Sequence, residues 1–259
     1  MFEEFKGKVL FVTGAGSGMG RATALRFAEL GCRIAVTARR ETPGLETVDE
    51  IKKAGGEAIF IQCDVANEES VKAAVEKTVE TFGSLDYAFN NAGCGADGKN
   101  IPFCPLTEVT ESDWDKVIDT NLKGVFLCMK YEIRQMIKQG KGAIVNTSSI
   151  GGLKMVPGFG AYGPSKAAIN AITQTAAVEN AKAGVRVNSI CPGPTVGTNL
   201  MDASIASGDQ DPKFMEENVI PDGKMGTTRN ITDGVVFLCS DMADHITGMA
   251  LPVCGGMQM

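Results

Sequence analysis

A tyrosine and a lysine stand four positions apart at the start of a segment with helical periodicity. Because residues four apart share one face of a helix, the phenol of Tyr162 and the ammonium of Lys166 are expected to face the same space. A cation beside a phenol favours the phenolate, which lowers the tyrosine pKa and makes the side chain a usable acid and base. Ser149 ends a strand a short loop upstream, which places a hydroxyl beside Tyr162. This spacing predicts proton transfer to or from a small molecule.

A glycine-rich turn, Thr13 to Gly20, follows the first apolar run and precedes a helical segment. Its glycines let the backbone turn sharply and approach a pyrophosphate, and the next helix offers free N–H groups and a favourable dipole at its N-terminus. The order is G-x-x-x-G-x-G rather than G-x-G-x-x-G, and a tight loop without a ligand is the alternative. The strand–turn–helix setting favours a dinucleotide site.

The residues after the second strand bear on the choice of cofactor. An acidic residue there would bind the ribose hydroxyls of NAD. This chain instead has Ala38 followed by Arg39 and Arg40, which can pair with a 2′-phosphate. Solvated surface arginines are the alternative. The sequence therefore favours NADP as the cofactor and leaves NAD open.

Polar residues and turn formers end the later strands. Asp64 follows the third strand, Asn90-Asn91-Ala92-Gly93 follows the fourth, and Pro192-Gly193 follows the sixth. Asp and Asn also favour turns through local hydrogen bonds, which is the alternative explanation. Because parallel strands end at one edge of a sheet, these segments, the glycine turn, Arg39 and Ser149 are expected to line one crevice.

Asn121 falls on the apolar stripe of a predicted long helix, residues 113–137. The stripe consists of Trp114, Val117, Ile118, Leu122, Val125 and Met129. A buried amide needs partners, so Asn121 is either a satisfied core residue or the organiser of a water and proton path to the site. The single histidine, His245, lies in a polar connection and is expected at the surface. One histidine and eight scattered cysteines without a C-x-x-C pair argue against a zinc site and a Ser-His-Asp triad.

Apolar runs alternate with helical segments along the whole chain, without a linker or a repeat. The predicted strands are 9–13, 34–38, 58–63, 85–89, 143–146, 185–190 and 250–253. The predicted helices are 18–30, 45–54, 68–82, 113–137, 161–183 and 231–239. This pattern predicts an α/β fold, a single doubly wound Rossmann-type domain over residues 1–259, with a mainly parallel seven-stranded sheet and helices on both faces. Segments 94–112 and 194–226 lack periodicity and are predicted to be functional loops at the sheet edge.

Charge and composition restrict the partners. The chain has 25 Lys and Arg against 31 Asp and Glu, a net charge of −6, and no dense basic run, so neither nucleic acid nor an anionic membrane is an expected partner. The N-terminus lacks the features of a secretory signal, and no apolar run reaches the roughly 18 residues of a membrane span. Scattered cysteines without paired spacing are typical of reduced thiols. A cytoplasmic protein is expected.

Taken together, these motifs resemble those of the short-chain dehydrogenase/reductase family, in its oxidoreductase branch of about this chain's length. The resemblance covers essentially the whole chain. It rests on Thr13-Gly14 through Gly20, Asp64-Val65, Asn90 to Gly93, Asn121, Ser149, Tyr162 with Lys166, Pro192-Gly193 and Gly255-Gly256. Two departures are Met19, where the family often has Ile, and Cys254, where an Asp is common.

The resemblance implies a role for each matching residue. Tyr162 would be the general acid in reduction and the base in oxidation, and Ser149 would hydrogen-bond the substrate oxygen. Lys166 would lower the pKa of Tyr162 and hold the nicotinamide ribose, while Asn121 would position a water that links Lys166 to solvent. The implied cofactor-binding residues are Gly14, Ser17, Gly18, Met19, Gly20, Arg39, Asp64, Val65, Asn91, Ala92, Gly93, Tyr162, Lys166, Pro192, Gly193, Thr195 and Thr198. Both threonines are included because residues 192–198 form a stretch one residue longer than usual.

The expected function is an NAD(P)-dependent interconversion of a secondary alcohol and a ketone, in a homotetramer or homodimer. Residues from about 1 to 150 would form the cofactor half, and residues from about 150 to 259 the catalytic and substrate half, with a substrate loop at 194–226. The apolar loop residues Leu153, Met155, Val156, Phe159, Met201, Ile205 and Phe214 favour a small hydrophobic substrate. The alternatives are a reductase of sugar or acyl-carrier 3-keto substrates and a non-catalytic NAD(P)-binding regulator.

Overall fold

The structure, a computed structural model, describes residues 3–95 and 104–257. Residues 96–103 of the predicted loop 94–112 lie outside the described residues. The strands are β1 (Val9–Thr13), β2 (Arg33–Ala38), β3 (Glu57–Gln62), β4 (Tyr87–Asn90), β5 (Gly142–Thr147), β6 (Val185–Pro192), β7 (Thr195–Val196), β8 (Gly226–Thr227) and β9 (Ala250–Val253). The α-helices are α1 (Gly18–Glu29), α2 (Glu41–Lys53), α3 (Glu68–Phe82), α4 (Glu111–Val117), α5 (Gly124–Gln139), α6 (Tyr162–Asn180), α7 (Asn199–Ser207), α8 (Pro212–Asn218) and α9 (Thr228–Cys239).

Seven of these strands form one sheet in the order β3-β2-β1-β4-β5-β6-β9, and every neighbouring pair is parallel. The chain moves outward in one direction from β1 to β3 and in the other from β4 to β9, so a crevice opens beyond the carboxyl ends of β1 and β4. The predicted doubly wound fold and its seven strands are confirmed. The sheet of the predicted fold was mainly parallel, and the observed one is wholly so.

The sheet is covered on both faces, and the alternation of side chains along β1 shows how. Leu10 and Val12 pack into a core with residues of α1, α2 and α9. Val9 and Phe11 point the other way, into a core with residues of α3, α5 and α6. Successive strand residues face opposite sides of a sheet, so a strand buried on both sides has to be apolar throughout. This explains why β1 has no polar alternation in its sequence.

The predicted helix 113–137 is interrupted around Asn121. α4 ends at Val117, a π-helical segment covers Ile118–Lys123, and α5 begins at Gly124. A π-helical turn is wider than an α-helical turn and changes the direction of the side chains that follow. Asn121 lies in this segment and is completely buried, whereas Trp114, at the start of the predicted stripe, is 38% exposed. Periodicity alone does not reveal such an interruption.

The prediction that residues 194–226 are irregular is wrong. Strands β7 and β8 pair in parallel at the two ends of this span, with Thr195 opposite Gly226. Between them lie α7 and α8, which begin at the side-chain caps Thr198 and Asp211. Helices of nine and seven residues are too short to produce a clear apolar period, so only their capping residues signal them.

No helix in residues 3–95 and 104–257 is long and apolar enough to cross a membrane. All eight cysteines are free thiols, and six of them are buried. They pack as small apolar side chains, for example Cys32 and Cys239 in the core beneath α1 and α9.

Candidate active site

A cavity of about 570 Å³ opens at the carboxyl edge of the sheet, between the ends of β5 and β6 and helices α7 and α8. Parallel strands deliver their C-terminal residues to this one edge, which is why distant motifs meet there. Ten of the predicted site residues line the cavity: Met19, Asn91, Gly93, Ser149, Tyr162, Lys166, Pro192, Gly193, Thr195 and Thr198.

Tyr162 is the first residue of α6, and its side chain is buried in the cavity wall. The ring of Phe159 packs edge-on against it, with centroids 6.0 Å apart and an interplanar angle of 86°. The hydroxyl of Ser149 lies close enough to the phenol to lower its pKa. Lys166 Nζ lies over the Tyr162 ring, 5.5 Å from its centroid. The phenol is therefore held by one ring, one hydroxyl and one cation.

The pKa values of this pair follow from burial. Burial raises the pKa of Tyr162 to about 12, and the nearby hydroxyl of Ser149 opposes that rise. Burial also lowers the pKa of Lys166 to about 8. The expectation that Lys166 sets a low pKa for Tyr162 is not met, because the loss of hydration of the phenolate outweighs the other effects. The ammonium faces the ring, where it acts through the π-system of Tyr162.

Lys166 is anchored by the strand that ends beside it. Its Nζ donates a hydrogen bond of 2.8 Å to the carbonyl oxygen of Thr147. The hydroxyl of Ser148 donates to the carbonyl oxygen of Lys166, also at 2.8 Å. The Oγ1 atom of Thr147 is buried and has no hydrogen-bond partner within the described part of the chain. These contacts fix the ammonium and leave one hydroxyl free to bind a ligand.

Asn121 does not line the cavity, but its side chain binds the backbone of Cys94, which does. Its Oδ1 accepts from the backbone N–H of Cys94 at 2.8 Å, and its Nδ2 donates to the Cys94 carbonyl oxygen at 3.0 Å. The side chain is therefore a satisfied buried amide. A Cβ atom built on Gly93 would lie 3.3 Å from Asn121 Oδ1 and 3.6 Å from Lys166 Nζ. Asn121 thus positions the backbone that separates it from Lys166.

The backbone of the glycine turn has the features that pyrophosphate binding requires. Gly18 has a φ of +56°, in the left-handed region that favours glycine. A Cβ on Gly20 would lie 2.5 Å from the carbonyl oxygen of Gly14, so only glycine allows this close approach of helix and turn. The first turn of α1 contains no acidic residue, and the side chain of Ser17 does not cap the helix. Its N–H groups can therefore hold an anion.

Thr13 is a site residue whose role the sequence reasoning missed. Its Oγ1 accepts the backbone N–H groups of Asn91 and Ala92, both at 3.0 Å, and its carbonyl oxygen accepts from Asn91 Nδ2 at 3.1 Å. These bonds join the glycine turn to the segment after β4. Asn91 Oδ1 is buried and, among the described residues, without a hydrogen-bond partner. The available signal was the threonine that ends β1 directly before Gly14.

Eight predicted cofactor residues do not line the cavity: Gly14, Ser17, Gly18 and Gly20 of the glycine turn, Ala92, and Arg39, Asp64 and Val65, which follow β2 and β3 along the same edge. Arg39 follows β2, is exposed and makes no ion pair with the described residues. Asp64 follows β3, and its Oδ1 accepts the N–H of Ala66 at 3.0 Å. Val65 is buried against Gly124, where a Cβ would come within 2.8 Å of its Cγ2. Their positions suit the far end of a dinucleotide.

The two threonines that the sequence could not separate both line the cavity, with different contacts. Thr195 Oγ1 donates to the carbonyl oxygen of Gly193 at 2.9 Å. Thr198 caps α7, and its Cα lies 3.5 Å from a Cβ built on Gly18. Thr198 is therefore the one beside the glycine turn.

The outer walls of the cavity are apolar. Of the residues expected there, Val156, Phe159, Met201 and Phe214 line it, and Leu153, Met155 and Ile205 do not. Sequence reasoning missed Ile150, Leu200, Met215, Val219 and Met257, which also line the cavity. Two acidic residues, Asp209 and Asp211, lie on the turn between α7 and α8 and complete the lining.

A buried polar cluster lies behind the edge of the sheet. Asn90 Nδ2 donates to Glu132 Oε2 at 2.9 Å and to Asn146 Oδ1 at 3.0 Å. Asn146 Nδ2 in turn donates to Thr173 Oγ1 at 2.9 Å. Burial raises the pKa of the Glu132 carboxyl to about 8. The cluster ties β4 and β5 to α5 and α6 one residue before Asn91 and Thr147.

The described residues contain no group of three or more His, Cys, Asp or Glu side chains that could hold a metal ion. His245 is exposed on the connection after α9, as expected from the sequence.

Comparisons with known proteins agree over nearly the whole chain. A family model described as enoyl-(acyl carrier protein) reductase matches residues 14–258. An uncharacterized oxidoreductase of Thermotoga maritima is 42% identical over 253 residues, which cover 97% of this chain and 98% of the relative. A 3-oxoacyl-acyl-carrier-protein reductase of Staphylococcus aureus is 41% identical over 253 residues, with the same two coverages. Among solved structures, an NAD⁺-bound xylitol dehydrogenase has a TM-score of 0.90 and 36% identity, covering 98% of this chain and 100% of that one.

Proposed function

This chain belongs to the short-chain dehydrogenase/reductase family and is an NAD(P)-dependent oxidoreductase, and on that premise we propose that it reduces the ketone of a small hydrophobic substrate to a secondary alcohol, with NADP as its preferred cofactor. The observation that carries the proposal is the convergence of Ser149, Tyr162 and Lys166 on one apolar-walled cavity. A binding protein without turnover would need the glycine turn but not these three side chains.

When it is bound, the nicotinamide cofactor supplies the hydride that the carbonyl carbon receives. The hydroxyls of Ser149 and Tyr162 hold the carbonyl oxygen in place, and their hydrogen bonds strengthen as negative charge develops on it. Tyr162 donates the proton. With a pKa of about 12, its phenol is protonated throughout the neutral range, which suits the acid that ketone reduction requires.

Lys166 and Asn121 support the proton transfer without donating the proton themselves. Lys166 is largely protonated at pH 7, since its pKa of about 8 lies above that pH, and it holds the ribose of the cofactor. Asn121 holds the backbone of Cys94 beside Lys166, and we assign to this segment the water path that returns a proton to the site. Both are roles that the family resemblance implies at these positions.

The substrate is tested by a screen of ketones and alcohols with both cofactors, following the absorbance of the reduced nicotinamide. We expect turnover of uncharged cyclic or aromatic ketones with NADPH. A second candidate is a reductase of sugar or acyl-carrier 3-keto substrates, which the printed names of the Staphylococcus aureus relative and the xylitol dehydrogenase favour. Turnover confined to 3-ketoacyl thioesters or to polyols would support that candidate instead.

Arg39 is proposed to select NADP. Replacing it with alanine should raise the KM for NADPH by roughly 10- to 100-fold, because a charge-assisted pair with the 2′-phosphate is lost, and leave the KM for NADH nearly unchanged. The control is Lys52→Ala, which removes an exposed positive charge at the far end of α2. Equal effects of Arg39→Ala on the two cofactors would contradict the 2′-phosphate role.

A homotetramer is the proposed assembly, packed through α5 and α6. Phe126 on α5 and Val178 on α6 are 51% and 81% exposed, so these two helices present apolar side chains that an interface could bury. Light scattering after gel filtration should give a mass about four times 27.3 kDa. Phe126→Glu should dissociate the assembly, whereas Leu45→Glu, at an exposed apolar residue of α2, should not. A monomeric wild-type protein would contradict the proposal.

We also propose a cytoplasmic location and a functional division of the single domain. Residues from about 1 to 150 carry the cofactor half, with the glycine turn, Arg39 and Asp64. Residues from about 150 to 259 carry Tyr162, Lys166 and the substrate segment at about 194–226.

A further inference from the structure

Two carboxylates lie on the cavity lining, and they are the feature that the proposed function does not use. Asp209 and Asp211 occupy the turn between α7 and α8, on either side of Gln210, and both are exposed. Asp209 accepts a hydrogen bond from Ser207 Oγ at 2.7 Å, and Asp211 accepts the backbone N–H of Lys213 at 3.0 Å. Neither carboxylate forms an ion pair with a residue that the structure describes. Their negative charges are therefore uncompensated.

The rest of the described lining contains one buried cation, and its other hydrogen-bond donors are neutral. Lys166 is the only basic side chain among the described residues that line the cavity, and its ammonium is bound to the Thr147 carbonyl oxygen beneath the Tyr162 ring. Neutral polar side chains, among them Ser204 and Gln210, also line the cavity, and the outer wall is otherwise made of Ile, Val, Leu, Met and Phe side chains. An apolar wall raises the strength of a charge–charge interaction near it, because it keeps water away. A carboxylate or phosphate on a substrate would thus be repelled by Asp209 and Asp211, and no free cation in the described lining would offset that repulsion.

We infer that Asp209 and Asp211 are specificity-determining residues, which make this cavity accept uncharged carbonyl compounds and reject those with a carboxylate or phosphate. The inference rests on the proposed function, since it concerns the substrate of the same site. It selects a substrate class by repulsion as well as by apolar fit, which is how a site discriminates between ligands of similar shape. The hydrogen bonds of the two carboxylates fix their positions on the turn, so the repulsion is built into the site.

A matched pair of ketones tests the inference. Methyl 4-acetylbenzoate is neutral and 4-acetylbenzoate is an anion, while their ring and ketone are the same. We expect the wild-type enzyme, with NADP⁺ bound and at low ionic strength, to bind the neutral probe roughly tenfold or more tightly than the anion by titration calorimetry, as two nearby charges require. The preference should weaken as salt is added, because screening shortens the range of both carboxylates to about 10 Å or less above 0.1 M.

The double variant Asp209→Asn/Asp211→Asn removes the charges and keeps the hydrogen-bond acceptors. Asparagine caps a helix as well as aspartate does, so the start of α8 should be preserved. We expect the preference to fall several-fold, through tighter binding of the anion and an unchanged affinity for the ester, and to keep only the part that the apolar wall contributes. The control is Glu69→Gln/Glu76→Gln on α3, which changes the net charge equally at exposed positions outside the cavity lining and should leave the preference intact.

The outcomes separate this inference from the proposed reduction. A preference that is unchanged in the Asp209→Asn/Asp211→Asn variant would overturn the inference, and so would equal binding of the two probes, or no binding of either, by the wild type. Charge-selective binding that disappears in the variant would support it. If that binding occurred without any turnover by NADPH, the charge selection would stand and the proposed reduction would be contradicted.

Discussion

Replacement of Tyr162 by phenylalanine is expected to lower kcat by roughly 10²- to 10⁴-fold, because the proton donor to the carbonyl oxygen is lost. The phenyl ring can keep its edge-on packing against Phe159, so the cavity wall should persist. NADPH should bind with nearly the wild-type Kd, since the glycine turn and the segment after β4 are unchanged. Steady-state kinetics on a ketone found in the screen, with Kd values from nucleotide fluorescence, measure both quantities.

Tyr131→Phe is the matched control for this variant. Tyr131 lies on α5, and its hydroxyl donates to Glu68 at 2.8 Å, outside the cavity lining. The same chemical change there should leave kcat within about twofold of the wild type. If Tyr162→Phe retained full activity, the proton would have to come from another group, and the assignment of Tyr162 would be wrong.

Substitution of Glu132 by glutamine is expected to raise the stability of the protein at alkaline pH and to change it little at pH 5. The folded-state pKa of about 8 lies above the value of 4.5 in the unfolded chain, so the folded state binds this proton more tightly. The corresponding stability is fully present below pH 4.5 and is lost as pH rises to about 8. The total loss is on the order of 4–5 kcal/mol. Glutamine has no such proton and still offers Asn90 an acceptor.

Urea unfolding of the wild type and of Glu132→Gln at pH 5, 7 and 9, at one protein concentration, measures this difference. The free energy of unfolding should fall with rising pH more steeply in the wild type than in the variant. Glu76→Gln, at an exposed position on α3, serves as the control and should follow the wild type. A difference between Glu132→Gln and wild type that does not depend on pH would contradict the raised pKa.

Much of the fold follows from local patterns. The central strand β1 is apolar on both faces, and this property distinguishes buried parallel strands in a sequence. Once the sheet is parallel, the segments after β1, β4, β5 and β6 have to meet at one edge. For that reason Asn91, Ser149 and Pro192, which are far apart in the chain, were predicted to lie together and do line one cavity.

Other features depend on contacts that a sequence pattern does not contain. The amide of Asn121, in the π-helical segment, pairs with the backbone of Cys94, a contact across 27 residues that no local pattern contains. The high pKa of Tyr162 reflects how completely the surrounding elements bury its phenol, whereas the sequence revealed only the nearby lysine. The position of Asp209 and Asp211 on a turn could not be predicted either, because α7 and α8 are too short to give an apolar period that would mark where one helix ends and the next begins.

The pairing of β7 with β8 has a consequence for the evolution and redesign of this enzyme. Because Thr195 and Gly226 are fixed side by side, the span between them leaves and re-enters the body of the protein at one place. Lengthening a closed loop is cheap, at about 0.6 kcal/mol for each doubling of its length. We therefore expect residues 200–225 to be exchangeable as one segment, a cassette that supplies Met201, Asp209 and Phe214 to the cavity but no strand to the sheet, while Thr198 stays beside the glycine turn. Grafting a different cassette onto this base should change which carbonyl compounds are accepted and leave Tyr162 and Lys166 where they are.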